Sequence, residues 1–291
     1  MTASNHPGPF DFDSTAQLVT QITAQLTTQL SHLGLSGARR GGHHAPRDRP
    51  PTLVAVAHGS RDPAAPRTVT ALMGHVRALR PDVPVRIGHI ELNQPLLADT
   101  LAALRGEAVV VPLLLGRGYH IKQDIPSAVA AAPHLTARIA APLGPHPLLA
   151  EALHARLAEA GRRGVVPPGA GVVLAAAGSR DPDAAVDAAR TAALLSARLG
   201  GVPVLPGYAS GSGPTVPEAI RALAALGREP TAVASYFAAP GRFATQCAGA
   251  APGIAAAPLG AHPAMARLVL HRYEQALTSA PLSHPAATVG V

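Results

Sequence analysis

A heptapeptide that returns 119 residues later limits most strongly how this chain can fold. Ala57-His58-Gly59-Ser60-Arg61-Asp62-Pro63 recurs as Ala176-Ala177-Gly178-Ser179-Arg180-Asp181-Pro182. Gly88 to Leu104, with Pro95, lines up with Gly207 to Leu223, with Pro214, at the same offset. Ala141-Pro142-Leu143-Gly144-Pro145-His146-Pro147 returns as Ala257-Pro258-Leu259-Gly260-Ala261-His262-Pro263, 116 residues on. Between these, an offset of 122 aligns Pro112 with Ala234 and His120 with Arg242. Four segments in one order at nearly constant spacing make the chain a tandem duplication, with halves at 51–165 and 170–278.

Each half alternates strand and helix. In the first, residues 53–57, 85–90, 108–115 and 137–141 are short apolar runs with strand character. Residues 66–79, 96–104, 126–132 and 147–160 are Ala/Leu-rich and helical, and Asp62 before Pro63 suits a helix start. This order predicts an α/β fold of two tandem, duplicated domains, each a parallel sheet with helices on both faces. Ligands of such sheets bind beyond the carboxyl ends of the strands.

Composition removes most other classes. Thirty Pro and 28 Gly in 291 residues exclude a coiled coil or a long bundle, and 47% hydrophobic residues exclude wholesale disorder. Cys247 is the single cysteine, so neither a disulfide framework nor a thiolate metal cluster is available. No apolar run reaches the ~18 residues of a membrane span, and the N-terminus lacks a signal-peptide pattern. The expectation is a soluble, cytoplasmic protein without a membrane partner. Residues 1–50 read as an extension: Leu18, Ile22, Leu26 and Leu30 mark one amphipathic helix, and 39–50 a flexible linker. Residues 279–291 read as a flexible tail.

The net charge of +7 is nearly all arginine, since Lys122 is the only lysine. A nucleic-acid partner would need clustered cations interleaved with aromatics. Only 3% of residues are aromatic, and the densest basic cluster is the linker 39–49, so no nucleic acid is expected.

Three consecutive strands of the first half lead into groups that bind metals or move protons. His58 follows the first, Glu91 the second, and His120 comes after the turn Gly116-Arg117-Gly118-Tyr119. Two imidazoles and a carboxylate on one rim suit a divalent metal of borderline softness. The duplication supplies an internal control, because His58, Glu91 and His120 align with Ala177, Ser210 and Arg242. The second half keeps the scaffold and loses all three groups together. Gly-Ser-Arg-Asp-Pro is kept in both halves and reads as a turn and helix cap, and the shared His146 and His262 read as caps or packing. One site per chain is expected, in the first half.

Residues 57–63 after a strand resemble the opening motif of the sirohydrochlorin chelatases, the class II tetrapyrrole chelatases. Val111-Pro112-Leu113-Leu114-Leu115-Gly116-Arg117-Gly118-Tyr119-His120-Ile121-Lys122-Gln123-Asp124-Ile125-Pro126 is similar to their second histidine motif, and Glu91-Leu92-Asn93-Gln94-Pro95 to the glutamate segment between. The resemblance covers roughly residues 52–275. It implies insertion of Fe²⁺ or Co²⁺ into sirohydrochlorin, towards sirohaem or cobalamin, in a cleft between two similar α/β domains. His58 and His120 would handle the metal with Glu91 beside them, and no cofactor beyond the substrate metal is implied.

Metallation must remove two pyrrole protons while delivering a dehydrated cation, a task suited to neutral imidazoles beside a carboxylate. No strand is followed by a dinucleotide or P-loop glycine motif. The polycarboxylate macrocycle calls for cations at its edge and apolar surface at its face. Arg117, Lys122, Arg61 and Arg242 are the candidate cations, although for Arg61 the turn reading is preferred because Arg180 repeats it. Tyr236, with Tyr208, Phe237 and Phe243, is the candidate opposite wall. His89 is a further candidate, two residues before Glu91. The alternative is a non-catalytic metal or tetrapyrrole carrier on the same fold.

Overall fold

The computed structural model describes residues 49–161 and 169–279. The expected N-terminal helix, nearly all of the linker, and the tail beyond Ser279 lie outside the described residues. The first half runs β1 (Thr52–Ala57), α1 (Ala64–Leu79), β2 (Val85–His89), α2 (Leu97–Ala103), β3 (Gly106–Pro112), α3 (Ile125–Ala130), β4 (Leu135–Ile139) and α4 (Pro147–Gly161). A π-helical turn, His120–Asp124, leads straight into α3. The second half runs β5 (Gly171–Ala176), α5 (Pro182–Arg198), β6 (Val204–Tyr208), α6 (Val216–Ala225), β7 (Thr231–Ser235), α7 (Arg242–Gly249) and α8 (Pro263–Thr278).

Both sheets are wholly parallel, in the orders β2-β1-β3-β4 and β6-β5-β7. Where the second half would place a fourth strand, Val233 and Ala255 form a single parallel bridge. From Leu53 onward every residue of β1 is buried, as in a parallel strand covered on both faces. Its alternation divides the core. Val54 and Val56 face outward onto Leu97, Leu101, Ile125 and Val129. Leu53, Ala55 and Ala57 join a central cluster that also takes Val172, Leu174 and Ala176 of β5. One hydrophobic core is therefore shared by the two halves.

The halves also exchange their last helices. α4 packs on α5 and β7, and α8 packs on α1 and β3. Arg156 on α4 donates to the Leu259 carbonyl at 3.1 Å, and Arg272 on α8 donates to the Leu143 carbonyl at 3.1 Å. Tyr273 on α8, fully buried, donates to the Pro51 carbonyl ahead of β1.

Strand register corrects one alignment. Thr52 pairs Ala108 as Gly171 pairs Thr231, so the third segment repeats at 123 residues and not at 122. The Leu113 N–H bonds the Val56 carbonyl as the Tyr236 N–H bonds that of Ala175. The Lys122 N–H bonds Gly118 as that of Thr245 bonds Gly241. The counterpart of His120 is thus Phe243, and Arg242 stands opposite Tyr119. A shift of one residue is invisible in short Ala/Leu-rich segments, whereas hydrogen-bond register admits only one solution.

Candidate active site

The carboxyl end of the first sheet brings the three expected groups together. His58 leaves β1 into Gly59, whose φ of +106° no other residue adopts comfortably. A Cβ on Gly59 would fall 1.9 Å from the Glu91 carbonyl oxygen, so the two loops touch backbone to backbone. The Glu91 N–H donates to the His58 carbonyl at 3.0 Å, and the Ser60 N–H to Asn93 Oδ1 at 2.7 Å. These bonds set His58 Nδ1 3.6 Å from Glu91 Oε1. Leu92 continues in the left-handed region at φ 64°, where its counterpart is Gly211 at φ 83°. The first half thus tolerates local strain beside Glu91 that the second half avoids.

His120 arrives from the π-helical turn. Its Nδ1 lies 2.5 Å from Asp124 Oδ2, four residues on. The His58 and His120 rings stand edge to face, 4.6 Å between centroids at 86°. Their Nδ1 atoms face Glu91 and Asp124, which leaves both Nε2 atoms without a hydrogen-bond partner among the described residues. The hydrogen bond to Asp124 fixes the orientation and tautomer of His120. His58 Nδ1, in contrast, lies 3.2 Å from the Gly59 carbonyl oxygen and has Glu91 as a neighbouring charge beyond hydrogen-bond distance. No grouping of three or more His, Cys, Asp or Glu side chains arranged to hold a metal occurs among the described residues. The site is an open imidazole pair with a carboxylate beside each ring.

Both histidines line a cleft of about 1300 Å³ between the halves. Glu91, about half exposed, stands just outside its lining. The counterparts of His58, Glu91 and His120 are Ala177, Ser210 and Phe243, of which Ala177 and Phe243 line the opposite wall. Tyr208, Tyr236, Phe237 and Phe243 all line the cleft, so every one of the four named aromatics reaches it. His89 lines it too, buried, with Nδ1 3.2 Å from the Pro95 carbonyl.

The candidate cations divide. Arg117 grips Asp187 of α5 through Nε and Nη2, at 3.0 and 2.8 Å, while its backbone N–H adds a third bond. Burial pushes the Asp187 carboxyl up, but the bonds from Arg117 outweigh it and hold that group below its usual range. Lys122 reaches Asp181 at 2.6 Å and Asp183 at 3.0 Å, which raises its ammonium above the ordinary value. The carboxylates these two meet belong to the protein. Arg242, exposed at the start of α7, forms no ion pair among the described residues; its guanidinium lies 6.0 Å from the Phe243 ring centroid.

Tyr236 is a strut. Its hydroxyl donates to the Leu115 carbonyl at 2.6 Å and lies 3.1 Å from Thr191 Oγ1. Burial pushes the phenol above its ordinary value. The shared histidines are caps: the Leu148 N–H donates to His146 Nδ1 and the Ala264 N–H to His262 Nδ1, each at 3.1 Å. Asp124 was not among the candidates, although its spacing from His120 is the i,i+4 signal of a shared helical face.

A sequence model of the CbiX family matches residues 52–160 and 171–276, most of the described chain. The sirohydrochlorin cobaltochelatase of Methanosarcina barkeri is 33% identical over 78 residues, 25% of this chain and 60% of that protein. The chain thus spans about 60% of the length of that relative. The sirohydrochlorin ferrochelatase of Bacillus subtilis is 31% identical over 175 residues, 57% of this chain and 66% of that protein. Among solved structures, SirB from Bacillus subtilis with Fe³⁺ superposes with a TM-score of 0.64 at 24% identity. The superposition covers 78% of this chain and 95% of SirB. That likeness establishes the fold of two tandem α/β domains.

Proposed function

The chain belongs to the CbiX family of sirohydrochlorin chelatases, and from that premise we propose that it inserts Fe²⁺ or Co²⁺ into sirohydrochlorin. The observation that carries the reading is the His58–His120 pair, edge to face at 4.6 Å on one wall of the cleft. In the reaction the divalent cation replaces two pyrrole N–H protons, so the site must offer metal donors and proton acceptors together. The Nε2 atoms of His58 and His120 serve as donors to the incoming metal, which is substrate and not a resident cofactor. Once relieved of the metal, the same nitrogens take the pyrrole protons. Glu91 beside His58 and Asp124 beside His120 stabilise the imidazolium forms and pass the protons outward.

The remaining parts follow the chemistry of a flat polyanion. Tyr208, Phe237 and Phe243 offer the macrocycle an apolar face. Arg242 offers a cation that forms no ion pair among the described residues. Arg117 and Lys122, already paired with Asp187, Asp183 and Asp181, hold the His120 loop against the second half. The product serves sirohaem or cobalamin formation.

Initial rates of metallation, followed by the absorbance change of sirohydrochlorin with Co²⁺ or Fe²⁺, test the reading. Wild type should turn over many times, and His58→Ala and His120→Ala should each lose about 100-fold or more in kcat. Full turnover in His58→Ala overturns the mechanism. Stoichiometric binding by wild type without faster metallation would make the protein a carrier.

A further inference from the structure

Resting on the chelatase reading, we infer that Arg61 and Arg180 are a pair of carboxylate clamps on opposite walls of the cleft. The repeated loop Gly-Ser-Arg-Asp-Pro is accounted for in both halves except for its arginine. Gly59 and Gly178 have φ of +106° and +87°, and a Cβ on either would strike the carbonyl oxygen of Glu91 or Ser210 within 2 Å. Ser60 Oγ accepts the Asp62 N–H at 3.1 Å, and Ser179 Oγ that of Asp181 at 3.0 Å. Asp62 Oδ1 accepts the Ala64 N–H at 2.8 Å, and Asp181 Oδ1 that of Asp183 at 3.0 Å. Pro182 opens α5, and Pro63 stands just ahead of α1. Arg61 and Arg180 contribute nothing to this architecture. Their side chains form no hydrogen bond or ion pair among the described residues, both are exposed, and both line the cleft.

The duplication sharpens the point. The second half has given up every metal-handling group of the first, with Ala177, Ser210 and Phe243 in their places. It keeps Arg180 all the same. A role that survives loss of the metal chemistry, in a loop whose fold does not need the side chain, is a role toward the ligand's other feature. For a macrocycle ringed with carboxylates, that feature is negative charge at the edge. Two cations related by the internal symmetry suit carboxylates on opposite edges, gripped from both walls. Arg117 and Lys122 line the same cleft but are already neutralised by Asp187, Asp183 and Asp181, whereas these two guanidinium groups meet no carboxylate among the described residues. A guanidinium matches a carboxylate in two parallel N–H···O bonds, which an ammonium cannot do.

The test is equilibrium titration of sirohydrochlorin, without metal, into wild type, Arg61→Ala, Arg180→Ala, the double variant and the Lys variants, at low and high salt. Steady-state kinetics with Co²⁺ accompany it. Each Ala substitution should raise Kd and the KM for sirohydrochlorin about fivefold to tenfold, with the double near the product of the two. The KM for Co²⁺ should stay constant and kcat should move by less than about twofold. The dependence of Kd on salt should become shallower with each arginine lost, and the Lys variants should recover part of the affinity. If wild type binds and metallates sirohydrochlorin while the double variant shows the same Kd and salt dependence, the clamp inference falls and the chelatase reading stands. If wild type binds no sirohydrochlorin, both fall.

Discussion

Removing one oxygen atom separates the two roles open to Tyr236. The sequence placed this ring on the wall that faces the ligand, and the structure spends its hydroxyl on a strut between the halves. Tyr236 is 6% exposed and donates to the Leu115 carbonyl at 2.6 Å. Thr191 Oγ1, 3.1 Å away, already donates to the Asp187 carbonyl at 2.9 Å. The phenol has one hydrogen and the threonine has one, so the third contact shares a hydrogen with one of the other two. Tyr236→Phe therefore loses one full hydrogen bond and leaves the Leu115 carbonyl short of a donor. The cost expected is about 1–2 kcal/mol. For a protein of this size that is roughly a 3–6 °C fall in Tm. Urea unfolding should show the midpoint lowered with the slope unchanged, and the KM for sirohydrochlorin should stay within about twofold. Unchanged stability with a KM raised tenfold would refute the argument and make the hydroxyl a ligand contact.

Other consequences can be checked alongside. Asp124→Ala frees the His120 ring from its carboxylate and should cost about 10–100-fold in kcat, with Asp124→Asn recovering part of it. The His146 and His262 caps work only with Nδ1 unprotonated. Burial first, and then the positive charges of Arg272 by His146 and Arg156 by His262, lower both imidazoles below the ordinary histidine value. Their contribution is therefore present above the unfolded-chain value of about 6.5 and is lost as pH falls below it. Stability measured by urea unfolding should decline on acidification in that range. His262→Asn, which keeps a capping oxygen, should flatten the decline, and an equally steep profile in that variant would reject the cap account.

The grouping of His58, Glu91 and His120 in the candidate site was legible in the sequence because strands and their ends leave local marks. An apolar run followed at once by His58 says where the imidazole stands, whatever the rest of the chain does. Asp124 was less visible, since an acidic residue four positions from a histidine gains meaning only when the turn between them is helical. The arginine of the repeated loop was harder to read for a different reason. Repetition suggested that the whole motif served the turn, while the hydrogen bonds account for Gly59, Ser60 and Asp62 and leave Arg61 over.

The sequence by itself determined the duplication, the parallel α/β order of each half and the loss of His58, Glu91 and His120 from the second. Those properties are written in period, spacing and residue type along the chain. Tertiary structure alone decided that the halves share one core and exchange α4 and α8, that Phe243 stands opposite His120, and which cations are already spent. Arg117 meets Asp187 and Arg272 meets Leu143 across 70 and 129 residues of chain. Pairings at that range depend on how two sheets close over a common layer of helices, and no local pattern records it.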